Sequence, residues 1–310
     1  MKKQLFLAAA LVAAFSIAKA QQPEMAQLLV HYKFTHVRDT TDRAHPYTEN
    51  MVLLTGKSTS AYKSYDGIQQ DAEFKKQLEQ AKANSPDGRI QINHHATASR
   101  TQYYQSPNDQ KLFTVDWLVM NSYLMEDPMP VIDWKISGDT ATFGGLHCQS
   151  AIAHFKGRDY TAWFCPDLPM RVGPWKLNGL PGMIVEAHDA KNEVVFKFDG
   201  VEKVVPSSPN SNTAGNLHPD GKEHMVMIGV DDSNTDPNLI APPANVIKTT
   251  QKEFSKLQEA MRKDPQAFVD AMMASQGANM PGNGPKMDHI KIKVGPGPVI
   301  NNPIELPEKK

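Results

Sequence analysis

Two cysteines, Cys148 and Cys165, are the only ones in the 310-residue chain, and they bracket the stretch QSAIAHFKGRDYTAWF. Lys156-Gly157, in its middle, has the composition of a two-residue hairpin loop. Pairing Phe155 with Arg158 across that loop puts Cys148 directly opposite Cys165, at a non-hydrogen-bonded position where side chains approach most closely. The spacing leaves two states open, a disulfide and a pair of buried free thiols. A nucleophilic cysteine would need a base and a depressed pKa; His147 adjoins Cys148 but points to the opposite strand face, and a disulfide removes the option. His94-His95, His147, His154, His188 and His289 offer ring nitrogens, and Asp159 falls across from His154 in the same hairpin. That pair reads more readily as a cross-strand contact than as half of a metal site. Met272, Met273, Met280 and Met287 are soft ligands of the kind copper(I) takes, but their spacing is irregular and Met also fills helix faces. No metal, cofactor or catalytic residue is assigned: there is no G-x-S-x-G, H-E-x-x-H, P-loop or dinucleotide fingerprint.

Binding is the sharper expectation. One face of the hairpin carries Ser150, Ile152, Thr161 and Trp163 with the cysteines; the other carries Phe155, Tyr160, Ala162 and Phe164. One face must pack inward, leaving Trp163 or Tyr160 exposed beside Arg158 near the hairpin tip. Aromatics beside a cation suit a glycan, a peptide or an amphiphile. Arg158, Tyr160, Trp163 and Trp175 are therefore the binding candidates. The competing reading is that the two tryptophans anchor the core and that Arg158 and Lys176 are simply solvated.

The elements that would position these residues are mostly strands. GPWKLNGLPGMIVEAHD (173–189) places Gly and Pro against an alternating apolar run. Leu180-Pro181-Gly182-Met183 has the type II turn pattern, with Pro presetting φ and Gly accepting a positive φ. Gly179, Leu180, Pro181, Gly182, Met183 and Ile184 thus form a corner feeding a strand, structural first and a pocket rim second. Leu28 to Phe34, Met51 to Thr55, 111–120, 122–127, 131–136, 147–155, 158–165, 183–189 and 193–199 read as strands of an antiparallel meander. Residues 71–83 read as a short surface helix, and Ile90 with Ile92 as the start of a further strand. Thr250-Gln251-Lys252-Glu253 is a capping box opening a helix to about Arg262, with Phe254, Leu257 and Met261 inward. Asp264-Pro265 restarts a second short helix.

The first twenty residues read as a signal peptide: Lys2-Lys3, an apolar run from Leu5 to Ile17, and the small-x-small site Ala18-Lys19-Ala20. Cleavage after Ala20 predicts an exported chain starting at Gln21, in the periplasm, at the outer membrane or outside the cell. No other apolar run is long enough for a membrane helix. The net charge of −1 argues against nucleic acid, which demands a basic face. The expected organisation is a curved β domain over 21–204, a Pro/Asn/Ser-rich mobile segment over 205–245 with one possible strand at Met225 to Val230, a helical segment over 246–275, and a linker with a C-terminal strand or tail over 276–310, where HIKIKV (289–294) alternates.

GLPGMI (179–184) differs at one position from the motif that names the GLPGLI family of exported Bacteroidetes proteins. DW (133–134), CQSA (148–151), GRDYTAWF (157–164), LP (168–169) and GPWKLNGLPGMI (173–184) follow in that family's order and spacing, as do VHYKFT, LLTGKSTSAYKS and the terminal NNPIEL. The chain resembles this family over most of its mature length. The family position at Cys165 more often resembles Thr, so a disulfide there would be individual to this chain. The resemblance implies no established activity. It implies an architecture similar to curved-sheet envelope proteins such as lipoprotein carriers. The expectation is mainly β: a strongly curved antiparallel sheet or open half-barrel, with one or two accessory helices and a C-terminal helix. The expected function is a non-catalytic envelope protein holding an apolar, lipid-like, peptide or glycan partner, or an envelope protein, in the concave face. The alternatives are a hydrolase or hydrolase accessory, and a periplasmic metal-handling protein.

Overall fold

The computed structural model describes residues 23–84, 98–119, 121–204, 236–277 and 299–308. The stretch read as a signal peptide, Ile90 with Ile92, His94-His95, the strand expected at Met225 to Val230, His289 with HIKIKV, Met280 and Met287 lie outside them. The protein is mainly β. Chain order begins with β1 (Glu24–Met25), β2 (Leu28–His36), β3 (Tyr47–Thr55) and β4 (Ser60–Ser64), then α1 (Tyr65–Asn84). Next come β5 (Gln102–Ser106), β6 (Lys111–Leu118), β7 (Asn121–Pro128) and β8 (Lys135–Phe143). The hairpin β9 (Leu146–Phe155) and β10 (Arg158–Cys165) leads through the corner to β11 (Met183–Asp189) and β12 (Val194–Lys203). The described chain continues with β13 (Leu239–Ile240), β14 (Val246–Thr249), α2 (Gln251–Lys263) and α3 (Pro265–Gly277).

Among the described residues, twelve strands form one open sheet in the order β14-β7-β6-β5-β4-β3-β2-β12-β11-β10-β9-β8, while β1 and β13 pair separately. Every contact in the large sheet is antiparallel except β14 with β7. The sheet is the open, largely antiparallel one expected, made mixed by a single parallel pair at its edge. β14 and its partner β7 are far apart in the chain, and parallel neighbours need a long connection where antiparallel ones can share a tight turn.

The apolar run of β3 has a double explanation. Met51 and Leu53 belong to one buried cluster with Tyr32, Tyr62 and Trp175; Val52 and Leu54 belong to another with Ala61 and Tyr104. Successive side chains point to opposite faces, so the centre of the sheet is covered on both sides. The corner covers the first face. α1, β1 and β13 cover the second.

Several boundaries differ from expectation. α1 starts at Tyr65, six residues early, because the Ser64 hydroxyl accepts from the Gly67 amide at 2.8 Å and caps it. Asp66 in its first turn accepts from the Asn50 amide and side chain, both at 2.9 Å, and ties the helix to β3. The strand expected over 131–136 starts only at Lys135 and runs to Phe143; Pro128 and Pro130 cannot donate to a ladder, and Val131 is 93% exposed. β5 was not anticipated. NNPIEL forms no strand.

The two C-terminal helices match their caps. Glu253 N donates to the Thr250 hydroxyl at 3.2 Å, and Ala267 N to Asp264 at 3.0 Å. Phe254 is buried against Leu118, Tyr123 and Met125, with Leu257, Met261 and Phe268 alongside.

Candidate functional site

Gln105 on β5 places its amide nitrogen 3.1 Å from Gly173 O, 3.0 Å from Trp175 O and 3.3 Å from Leu177 O. Tyr160 on β10 lies 6.4 Å from the Trp175 ring. β5 and β10 stand six strand positions apart, about 29 Å in a flat sheet at ~4.8 Å per strand. Both reach the same short loop, so the sheet bends around it. Trp175 stacks on Phe196 at 6.4 Å and 13°, and tilts against Phe155 at 5.6 Å. Tyr32 donates its hydroxyl to Ile184 O at 2.6 Å. Leu177, Leu180, Met183 and Ile184 are all buried here. The hollow of the sheet is filled by the chain's own corner.

The corner itself is not the expected type II turn. Gly182 N donates to Leu180 O at 2.8 Å, an i to i+2 turn centred on Pro181, and Met183 N goes instead to Leu168 O at 2.9 Å. Gly182 has φ 155°, and a Cβ there would stand 2.5 Å from Cys165 O. Its need for glycine is a close backbone approach as much as a dihedral. Gly179, at φ 97°, makes the bend before it.

Arg158, Tyr160 and Trp175 are buried, at 4, 1 and 2% exposure, so Arg158 and Tyr160 form no exposed rim and Trp175 takes the competing reading of a core anchor. The corner, carrying Trp175, covers Tyr160 on that face of the hairpin, and the C-terminal residues cover Arg158. Arg158 pairs with Asp189 at 2.7 Å and Glu193 at 3.3 Å. Trp163 points to the opposite face, half-buried, 5.8 Å from Phe143. The hairpin register is the expected one, and Cys148 and Cys165 are joined by a disulfide with Cα atoms 4.1 Å apart. His154 faces Asp159 at 2.6 Å and Glu308 at 2.9 Å, so both ring nitrogens meet carboxylates and its pKa is raised, by Asp159 first. Among the described residues, no group of three or more His, Cys, Asp or Glu is placed to hold a metal ion.

A cavity of about 590 Å³ lies on the other face, between α1, β4, β5, β6 and residues 236–244. Ile68, Tyr104, Trp117 and Leu239 supply apolar walls. Lys63, Lys75 and Arg100 line it together with Asp71 and Asp236. Pro23 borders it, and the next residue, Glu24, anchors that wall. Its carboxylate accepts from the amides of Lys57, Ser58 (3.2 Å) and Thr59 (3.1 Å) and from the hydroxyls of Ser58 (3.1 Å) and Thr59 (2.8 Å). Burial opposes the charge, but these donors outweigh it and leave the carboxyl below its ordinary value. None of the residues singled out in the sequence lines this cavity. Ser64 followed by Asp66 was the available cue, since it starts α1 early enough to lay Ile68 over β4.

Residues 149–186 match the model of a family described as a protein of unknown function (Porph_ging). The match runs from β9 through the hairpin and the corner into β11. No curated protein matches the chain. Two structures of PNGF-II, solved in different space groups, are similar at 10% and 11% identity with TM-scores of 0.45 and 0.44. Each likeness covers 74% of this chain and 32% of the PNGF-II chain, so the chain spans about a third of their length.

Proposed function

We propose that this is an exported, non-catalytic cell-envelope protein that binds a small apolar or amphiphilic ligand between α1 and the sheet. The cavity carries the reading. Its volume lies in the range of small-molecule sites, and its lining combines aromatic and aliphatic walls with charged side chains of both signs. The concave face, where the curved sheet suggested a ligand, is taken by the corner. The N-terminal signal pattern, the GLPGLI resemblance and a disulfide suited to an oxidising compartment support export.

Two measurements test this. Intact mass of protein recovered from its native envelope should show a chain starting at Gln21; a retained N-terminus overturns export. The anionic dye anilinonaphthalene sulfonate should brighten with the folded protein at neutral pH, and Ile68→Trp, which fills the cavity, should abolish the signal while the melting temperature holds. Equal dye binding by a stable Ile68→Trp variant places the ligand elsewhere.

A further inference from the structure

The described C-terminal residues, 299–308, cross the end of the β9–β10 hairpin without joining the sheet. Their contacts are those of a bound peptide. Arg158 uses every guanidinium nitrogen. Nη1 goes to Asp189 and Glu193; Nε donates to Ile304 O at 2.9 Å, and Nη2 to Asn302 Oδ1 and Pro303 O, both at 2.7 Å. A buried cation held by two carboxylates of the body thus offers its remaining donors to the tail.

Asn302 is recognised at both ends of its amide. Its Nδ2 donates to Val37 O at 2.7 Å and Glu193 Oε2 at 3.1 Å, while Oδ1 accepts from Arg158. Its backbone amide donates to Arg38 O at 3.0 Å, and its carbonyl meets His36 Nε2 at 2.8 Å. An Asp in this slot would turn a carboxylate oxygen toward Val37 O and the Glu193 carboxylate, acceptors both. Further along, Glu305 meets Lys176 at 2.6 Å and Lys156 at 3.2 Å, and Leu306 N donates to Lys156 O at 3.0 Å. Gly157 is required: a Cβ there would stand 2.7 Å from Leu306 O. Ile304 packs on the edge of the main core.

We infer that the hairpin end is a peptide-binding site selective for an Asn-Pro-Ile-Glu-Leu segment, filled here by the chain's own C-terminus, and that the same segment of a second copy can take its place. The body supplies Arg158, Lys156 and Lys176; the tail supplies carboxylates and an Asn that only a neutral amide matches.

The test uses the full mature chain with a protease site introduced between residues 284 and 292. After cleavage, the C-terminal fragment should stay attached in native mass spectrometry. A fluorescein-labelled peptide of residues 299–310 should replace it, read by anisotropy. The same peptide carrying Asn302→Asp should bind at least tenfold more weakly, and Lys176→Glu in the body should weaken the native peptide several-fold. Loss of the fragment from a body that stays folded, unfolding of the body on cleavage, or equal binding of the Asp peptide would each overturn the inference.

Discussion

At Gly182, backbone and packing make the same demand. Its φ of 155° excludes a side chain, and Cys165 O stands 2.5 Å from where a Cβ would sit. Gly182→Ala should lose about 1–3 kcal/mol of stability from backbone strain alone, and more once the Cys165–Pro166 backbone is displaced. Urea unfolding measures it, and a variant as stable as wild type would show that the corner yields freely. Arg158 has reversed its meaning. Placed in solvent by its nearness to the hairpin tip, it is instead a buried charge between Asp189 and Glu193. Arg158→Met should cost about 3–5 kcal/mol, because buried Asp189 would lose its counterion and Glu193 would keep only Arg43, at 2.8 Å. A melting temperature within a degree of wild type would contradict that account.

The hairpin β9–β10 is the best-determined element. Its register follows from the two-residue loop at Lys156-Gly157, where Lys156 has φ 52° and Gly157 φ 71°. That register places the two cysteines opposite one another, 17 residues apart in sequence. Closing so short a loop contributes about 3 kcal/mol at most. The Cys148→Ala/Cys165→Ala pair should therefore unfold at lower urea by up to that amount while keeping a native circular dichroism spectrum. Loss of the folded state would mean that the bridge organises the corner as well as the hairpin. The disulfide packs with Val185 next to the Gly182 approach, so hairpin and corner are coupled and the two effects should not add fully.

Over the whole molecule, stability should fall on the acid side. Burial, with the Arg38 and Arg158 charges, holds the His36 pKa below its ordinary 6.5, against the Asn302 carbonyl contact and Asp189, which raise it. The unfolded chain therefore takes up a proton below pH 6.5 that the folded chain refuses, and stability drops as pH falls from there. Glu24, Glu193 and Glu305 are lowered from 4.5, their donors outweighing burial. Their contribution is complete above pH 4.5 and is lost below it as they protonate. His154 works in the other direction: its raised pKa adds stability below pH 6.5 that disappears as pH rises. In a His154→Gln background, thermal melts should decline from pH 6.5 to 5, and His36→Gln should flatten that interval while leaving the fall below pH 4.5. A decline unchanged by His36→Gln would assign it to other groups.

Local patterns were legible in the chain because they rest on local physics. Alternation showed most of the strands, the capping box and Asp264-Pro265 showed the C-terminal helices, and the hairpin loop set the cysteine register. The Gly and Pro content of 173–182 marked a corner before a buried strand. What the corner covers was not legible. Whether Tyr160 and Arg158 face water depends on how the corner at Gly173–Ile184 folds back and on a tail arriving from far along the chain, at Asn302–Glu308. The cavity under α1 likewise joins β4, β5 and β6 to residues 236–244, none of which signals the others. Side-chain period and backbone dihedral preference made most strands, the hairpin loop and the C-terminal caps readable from the chain, but not β5, the start of α1 or the turn type at Pro181. Which face of the hairpin is inside emerges only on folding, because burial is a property of what packs against a residue, and one covering segment is a loop without periodicity and the other lies more than a hundred residues away.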